Sequence, residues 1–222
     1  MRSWWTQTTG GLPRTFWYLW AGTLVNRTGS FVLIFLAIYL TTVRGFSAAQ
    51  AGLVLGLCGA GSAVGVLAGG VLADRWGRRR TLLAAHLGAA GAMLLLGLSR
   101  EPVAIMASGA LLGMFADGAR PAFSAMMVDV VPERDRLRAF TLNYWAINLG
   151  FACASVLAGL AAQVDFLLLF AVDAATTLVT AVIVFARVPE TRPARAPARH
   201  RAATGSPGAG PPPPPAPARR RR

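Results

Sequence analysis

Gly70-Val71-Leu72-Ala73-Asp74-Arg75-Trp76-Gly77-Arg78-Arg79-Arg80-Thr81-Leu82 lies between two long apolar stretches of the chain. Four arginines and an aspartate in so short a segment cannot rest in hydrocarbon, so the segment reads as a tight turn at a membrane face. Gly70 permits close helix contact at the end of the preceding stretch. Asp74 is expected to end that helix at the cytoplasmic face. Gly77 allows the reversal, since glycine alone adopts positive φ without a steric penalty. Arg75, Arg78, Arg79 and Arg80 hold the turn on the cytoplasmic side.

Outward from this turn the chain is dominated by apolar residues, 55% of 222, with 14% charged. A bilayer span needs roughly 20 mostly apolar residues. Stretches of that kind fall at 16–40, 47–73, 81–99, 102–128, 139–162 and 166–186. These predict an all-α membrane bundle, with the cytoplasmic membrane as its place. The net charge of +13 comes with no lysine at all, only 22 arginines. Their positions exclude a nucleic-acid partner. Arg2 and Arg14, Arg75 to Arg80, Arg134 to Arg138, and nine arginines after the sixth span put eighteen on one side. Arg44 and Arg100 fall on the other side, and Arg27 and Arg120 inside spans. Both termini are therefore expected in the cytoplasm, with the lipid bilayer as a partner.

Cys58 and Cys153 fall in spans and form neither a disulfide framework nor a metal spacing; packing is their expected role. The first span lacks the short apolar core and cleavage site of a signal peptide, so it is expected to remain as a helix. Residues 1–15 read as a cytoplasmic arm, 16–190 as the bundle, and 191–222 as a disordered tail. From Pro193 to Arg222, 27 of 30 residues are Pro, Ala, Arg or Gly, a composition with no apolar surface to bury. Three readings of that tail stand: a solvated cytoplasmic extension, a polyproline ligand around Pro211–Pro215, or a G/C-rich gene read out of frame. The same codon chemistry suggests a G/C-rich bacterial genome.

Small residues recur every four positions: Gly52 and Gly56 open the second span, Gly61, Gly65 and Gly69 follow on one stripe, and Gly109 and Gly113 do the same in the fourth. Helices in lipid associate by close packing rather than by the hydrophobic effect, so these are expected to be helix contacts. Ser62 and His86 lack the glycine context and the orienting group of an intramembrane serine protease. No phosphate loop or metal spacing is present either, and the chain reads as a non-enzyme without a cofactor. His86 reads as a packed, hydrogen-bonded residue. Asp173 in the sixth span is expected to snorkel outward or contact the third span.

Ionisable groups inside a bilayer are costly and signal a site or an ion pair. Arg27 lies eleven residues in from the start of the first span, and Asp117 twelve residues before Asp129; at 1.5 Å per residue both are roughly 17 Å deep.

Gly70 to Leu82 resembles the signature loop of the major facilitator superfamily (MFS): Gly, three residues, Asp, Arg, one residue, Gly, then basic residues. Asp129-Val130-Val131-Pro132-Glu133-Arg134-Asp135-Arg136 resembles that family's loop between spans four and five. Val188-Pro189-Glu190-Thr191 resembles the end of its sixth helix. Gly118-Ala119-Arg120-Pro121-Ala122 is similar to span four of drug-exporting members. Asn148-Leu149-Gly150 resembles the antiporter region, but Phe151 follows where drug/proton antiporters carry proline. The resemblance covers about residues 16–191. It implies the N-terminal six-helix half, built as two three-helix repeats with substrate bound between halves. It implies a gate in which Arg78 pairs with Asp129, while Asp74 faces a helix start in the other half.

Because spans one and four line the cavity in that family, Arg27 and Asp117 are expected to face each other, with Arg120 one turn away and Asn26 beside them. In that arrangement Asp117 is the proton-responsive carboxylate and Arg27 an anion or substrate contact; the alternative is a structural ion cluster. The implied activity is export of a small organic solute driven by protons. Three forms remain open: an inactive fragment, a half-transporter completed by a homodimer or a separate second half, and a non-transporting membrane protein whose tail binds a partner.

Overall fold

A computed structural model describes residues 10–161 and 166–191. The expected disorder of the tail and the outer part of the N-terminal arm lie outside the described residues. Among those described, seven α-helices and one 3-10 turn form six spans of membrane length, the multi-pass helical bundle the sequence predicts. The first span is split into α1 (Arg14–Thr28) and α2 (Val32–Thr42). The others are α3 (Ala48–Trp76), α4 (Arg78–Leu98), α5 (Pro102–Val130), α6 (Arg136–Ala161) and α7 (Phe166–Arg187). The 3-10 turn Glu133–Asp135 leads into α6.

Local chemistry sets these ends. Ser47 and Gln50 form a reciprocal capping box at the start of α3, satisfying two N–H groups that the helix leaves orphaned. Pro102 opens α5, where its missing N–H costs nothing. Only Gly77, at φ 107°, separates α3 from α4. Asp74 therefore does not end the helix as expected: α3 runs on through Trp76 and the glycine stops it. Similarly α1 starts at Arg14, inside the expected cytoplasmic arm.

The packing follows an exchange pattern. Helix α5 (span four) lies mainly on α3 and α4 (spans two and three), while α1 (span one) lies on α6 and α7 (spans five and six). Helix α4 also packs on α7. Exchanging spans one, two and three for four, five and six maps this pattern onto itself, which makes the bundle two interleaved three-helix repeats. Contact between α1 and α5 is thin, and a cavity opens there.

The closest approach is between α3 and α5. A Cβ built on Gly61, Gly65 or Gly69 would strike the carbonyl of Ala110, Met114 or Gly118. One on Gly113 would strike the Cys58 carbonyl. These backbones touch because no side chain intervenes. Gly52 and Gly56 do not share the role: nothing lies within 4 Å of a Cβ at either. Gly70 is also not the close contact, since its nearest neighbour is Pro121 Cβ at an ordinary 3.9 Å; Gly69 is.

Two large apolar clusters fill most of the bundle, with a smaller third around Phe31, Ala154 and Leu169. Of the large two, one gathers Leu36, Tyr39, Leu96, Ile105 and Phe170; the other gathers Phe16, Leu82, Met126 and Val184 near the α3–α4 turn. The outer surface stays apolar, with Leu67, Val103, Leu137 and Phe185 well exposed, as a lipid-facing surface requires. Cys58 is buried, but Cys153 lies on that outer surface rather than in the packing.

Candidate functional site

At the α3–α4 turn the structure brings together the residues the motif predicts. Arg78 is buried, and its Nε lies 3.2 Å from Asp129 Oδ2 at the end of α5. This is an ionic contact without hydrogen-bond alignment. A second nitrogen sits 3.7 Å from Asp74 Oδ1, and a third donates to the Ala73 carbonyl at 3.4 Å. Asp74 itself is 73% exposed, so it has a free side facing outward. Arg75 is exposed as well.

One partner at this turn was not foreseen. Glu190 reaches back from beyond α7 and accepts from the backbone N–H groups of Arg79 (3.1 Å) and Arg80 (3.3 Å). A carboxylate at a helix N-terminus satisfies orphan donors and the helix dipole at once. Arg79 in turn donates to the Phe185 carbonyl and stacks over the Phe185 ring at 5.1 Å. The end of span six thus straps the start of span three. Glu190→Ala is expected to destabilise the folded chain by about 1 kcal/mol, read as a lower melting temperature in detergent with helix content unchanged at low temperature.

Between the two large apolar clusters, where span one breaks at Gly29-Ser30, lies a polar cavity. Its smaller chamber, about 130 Å³, is lined by Asn26, Arg27, His86, Asp117, Arg120 and Asp173 among others. The larger, about 410 Å³, shares Asn26, Arg27, His86 and Arg120 and adds Phe123, Phe140, Asn143 and Phe151. All four residues expected from spans one and four therefore face one space. The expected Arg27–Asp117 pair is not made. Asp117 Oδ1 is 2.8 Å from Arg120 Nε, one turn along the same helix, a shorter reach than across the cavity. Arg27 instead lies over the Phe151 ring at 5.4 Å, and among the described residues its guanidinium makes no ion pair or hydrogen bond. Asn26 donates to Thr177 Oγ1 at 3.0 Å. Pro121, one turn on from Asp117, removes the helix hydrogen bond that the Asp117 carbonyl would otherwise receive.

His86 is hydrogen-bonded, as expected. Its Nδ1 lies 2.7 Å from the Leu82 carbonyl, which can only accept, so Nδ1 carries a proton. It also lines both chambers. Ser62 donates to the Gly113 carbonyl at 3.3 Å and makes no hydrogen bond with His86.

Asp173 departs most from expectation. It does not snorkel: it is 3% exposed, and Oδ2 accepts from Val32 N–H at 3.1 Å. It caps α2, the second half of the broken span. Thr176 fills the space beside Gly29, Thr177 accepts from Asn26, and Thr180 donates to the Gly22 carbonyl at 3.1 Å. Asp173, Thr176, Thr177 and Thr180 recur at helical spacing, so one polar stripe of α7 is fastened along span one through its break.

The sequence profile of the Major Facilitator Superfamily matches residues 19–221. The chain is 36% identical over 145 residues to YqjV, an uncharacterized MFS-type transporter of Bacillus subtilis, covering 64% of this chain and 35% of that protein. It is 31% identical over 175 residues to a second such protein of that species, YttB, covering 78% and 44%. To the 4-hydroxybenzoate transporter PcaK of Pseudomonas aeruginosa it is 31% identical over 157 residues, covering 70% and 35%. The chain thus spans less than half the length of these relatives. Among solved structures, an auto-inhibited POT family peptide transporter superposes with a TM-score of 0.73 at 23% identity, over 89% of this chain and 43% of that one. The six-span interleaved bundle, the signature turn with its Arg78–Asp129 contact and these matches agree: the chain belongs to the Major Facilitator Superfamily.

Proposed function

We propose that this chain is one half of a secondary transporter that exports a small organic solute across the cytoplasmic membrane, coupled to protons, with both termini in the cytoplasm. The observation that carries the reading is the mid-span cavity, with a guanidinium (Arg27) that makes no salt bridge among the described residues, at a break in span one. Irregular backbone at membrane depth is tolerated where it lines a cavity, and such breaks mark solute sites in transporters. Arg27 offers a solute anion its charge, with Phe123, Phe140 and Phe151 as an apolar wall. Asp117, held by Arg120, is the carboxylate that takes and releases the proton. The exposed Asp74 would engage a helix start in the other half, supplied by a second copy or a separate chain. The family relatives include a 4-hydroxybenzoate transporter and a Na(+), Li(+), K(+)/H(+) antiporter from Planococcus maritimus, which fit an anionic organic solute and proton exchange respectively.

The test is reconstitution of the full chain in proteoliposomes with a trapped pH dye and labelled 4-hydroxybenzoate as the probe anion. Solute movement driven by an imposed pH gradient is expected. Asp117→Asn should abolish the response to the gradient while membrane insertion is retained. Unchanged gradient-driven movement in that variant overturns the assignment of Asp117. Co-purification of two differently tagged copies separates the homodimer from completion by a separate chain.

A further inference from the structure

We propose that Asp173 is a second proton-binding group, and that its protonation releases the outer half of span one. The inference rests on the transport reading for its purpose but not for its test.

Three observations meet at this residue. The first is placement. Asp173 lies eight residues into α7, within a span, and is the one carboxylate among the described residues that is almost fully buried. The second is what it holds. Its carboxylate accepts from Val32 N–H, the first residue of α2, where orphan N–H groups and the helix dipole favour a negative charge. No side chain of the local Gly29-Ser30-Phe31 segment caps that helix, so the cap comes from another span. The third is proton access. Asp173 lines the smaller chamber, which adjoins the larger one through shared residues.

The charged and titratable groups around that chamber are Arg27 from α1, His86 from α4, and Asp117 and Arg120 from α5; α2 and α6 bring none to it. A proton arriving from cavity water on Asp173 removes the negative charge that faces the α2 N-terminus. The acceptor becomes a neutral carboxyl oxygen, and the hydrogen bond from Val32 loses its charge assistance. Thr177 and Thr180 keep α7 on α1 through neutral hydrogen bonds that do not titrate. Only α2 is freed, and the hinge is Gly29-Ser30, which is already non-helical. The break then couples proton uptake to movement of the half of span one beyond the solute cavity. Asp117 has no such lever, since its partner Arg120 lies on its own helix.

The test reads protonation and hinge opening directly, in proteoliposomes of the full chain without solute. Cysteine is placed at Ser30, in a Cys58→Ser/Cys153→Ser background, and labelled with a membrane-permeant maleimide as pH is lowered. Maleimide rates are corrected with a free thiol standard. Corrected labelling is expected to rise about tenfold on acidification, the weight of one charge-assisted hydrogen bond. In Asp173→Asn, whose amide oxygen can still accept from Val32, labelling should lose its pH response. Infrared difference spectra across the same pH range should show, beside the component expected from Asp117, a protonated carboxyl component that Asp173→Asn removes and Asp117→Asn retains. A pH response that persists unchanged in Asp173→Asn, or a carboxyl spectrum that Asp173→Asn leaves unchanged, overturns the proposal. Should Asp173→Asn fail to fold, Asp173→Glu decides: a shifted titration midpoint supports the latch, and an unchanged midpoint overturns it. Loss of transport with an intact pH response at Ser30 would count against the transport reading alone.

Discussion

Replacing Gly65 with leucine is expected to cost the folded chain about 3 kcal/mol and to leave little of it recoverable from the membrane. A Cβ at Gly65 meets the carbonyl oxygen, carbonyl carbon and Cα of Met114, all of them backbone. A flexible side chain could swing aside; a helix backbone cannot, so α3 and α5 would have to separate. That separation also opens the contacts of Gly61, Gly69 and Gly113, because all four lie along one crossing. The control lies in the same helix. Gly59 has nothing within 4 Å of a built Cβ and is exposed on the outer surface, so Gly59→Leu is expected to stay within about 0.5 kcal/mol of the parent. Unfolding of both variants in SDS/detergent mixtures, followed by circular dichroism, measures the contrast. Equal stability of the two would remove the close α3–α5 crossing as the chief helix contact.

The second large effect is expected at the signature turn. Arg78→Ala leaves Asp129, 30% exposed, without its cation and empties a buried volume beside Ala73, at an expected cost of about 2–3 kcal/mol. Asp129→Leu leaves the more deeply buried guanidinium with the exposed Asp74 as its only carboxylate, so it is expected to be at least as damaging. The double variant Arg78→Met/Asp129→Leu should recover most of the lost stability, since an apolar pair avoids the desolvation penalty that both charges carry. If the pair acts as a gate, the double variant stays stable but does not transport. A double variant no more stable than the singles would show that the two residues contribute independently. Transport by a stable double variant would remove the gating role.

The apolar runs made the spans legible from sequence, because bilayer thickness dictates their length. The motif made the Arg78–Asp129 contact legible, since both ends lie in recognisable loops. The break in span one was less visible because the flanking runs are continuous. Its signal is the row Asn26-Arg27-Thr28-Gly29-Ser30, five consecutive non-apolar residues in a span that otherwise has only Gly22 and Thr23. The polar stripe of α7 was also present as Asp173, Thr176, Thr177 and Thr180 at helical spacing, but which helix it faces depends on the interleaved packing. That packing is a property of the whole bundle, and no local pattern encodes it. The same reason explains the missed Arg27–Asp117 geometry: depth in the bilayer follows from counting residues, whereas rotation about each helix axis does not. Glycine spacing found the right stripe, but the contact register, Gly69 rather than Gly70, is set by where Gly118 falls on the opposite helix.

The interleaving of the repeats has a consequence for biogenesis. Span one makes its main contacts with α6 and α7, which begin at Arg136 and Phe166. At ribosomal rates those partners emerge about five to thirty seconds after span one. During that interval the half of span one that carries Arg27 lacks its main partners and the break is uncapped, while the outer half can already meet spans two and three. The nascent protein therefore holds a charged, hinged segment in or beside the insertion machinery until Asp173 arrives. Conditions that slow elongation lengthen this exposure, so the yield of inserted protein is expected to depend on how well the cell shields one helix as well as on the stability of the finished bundle.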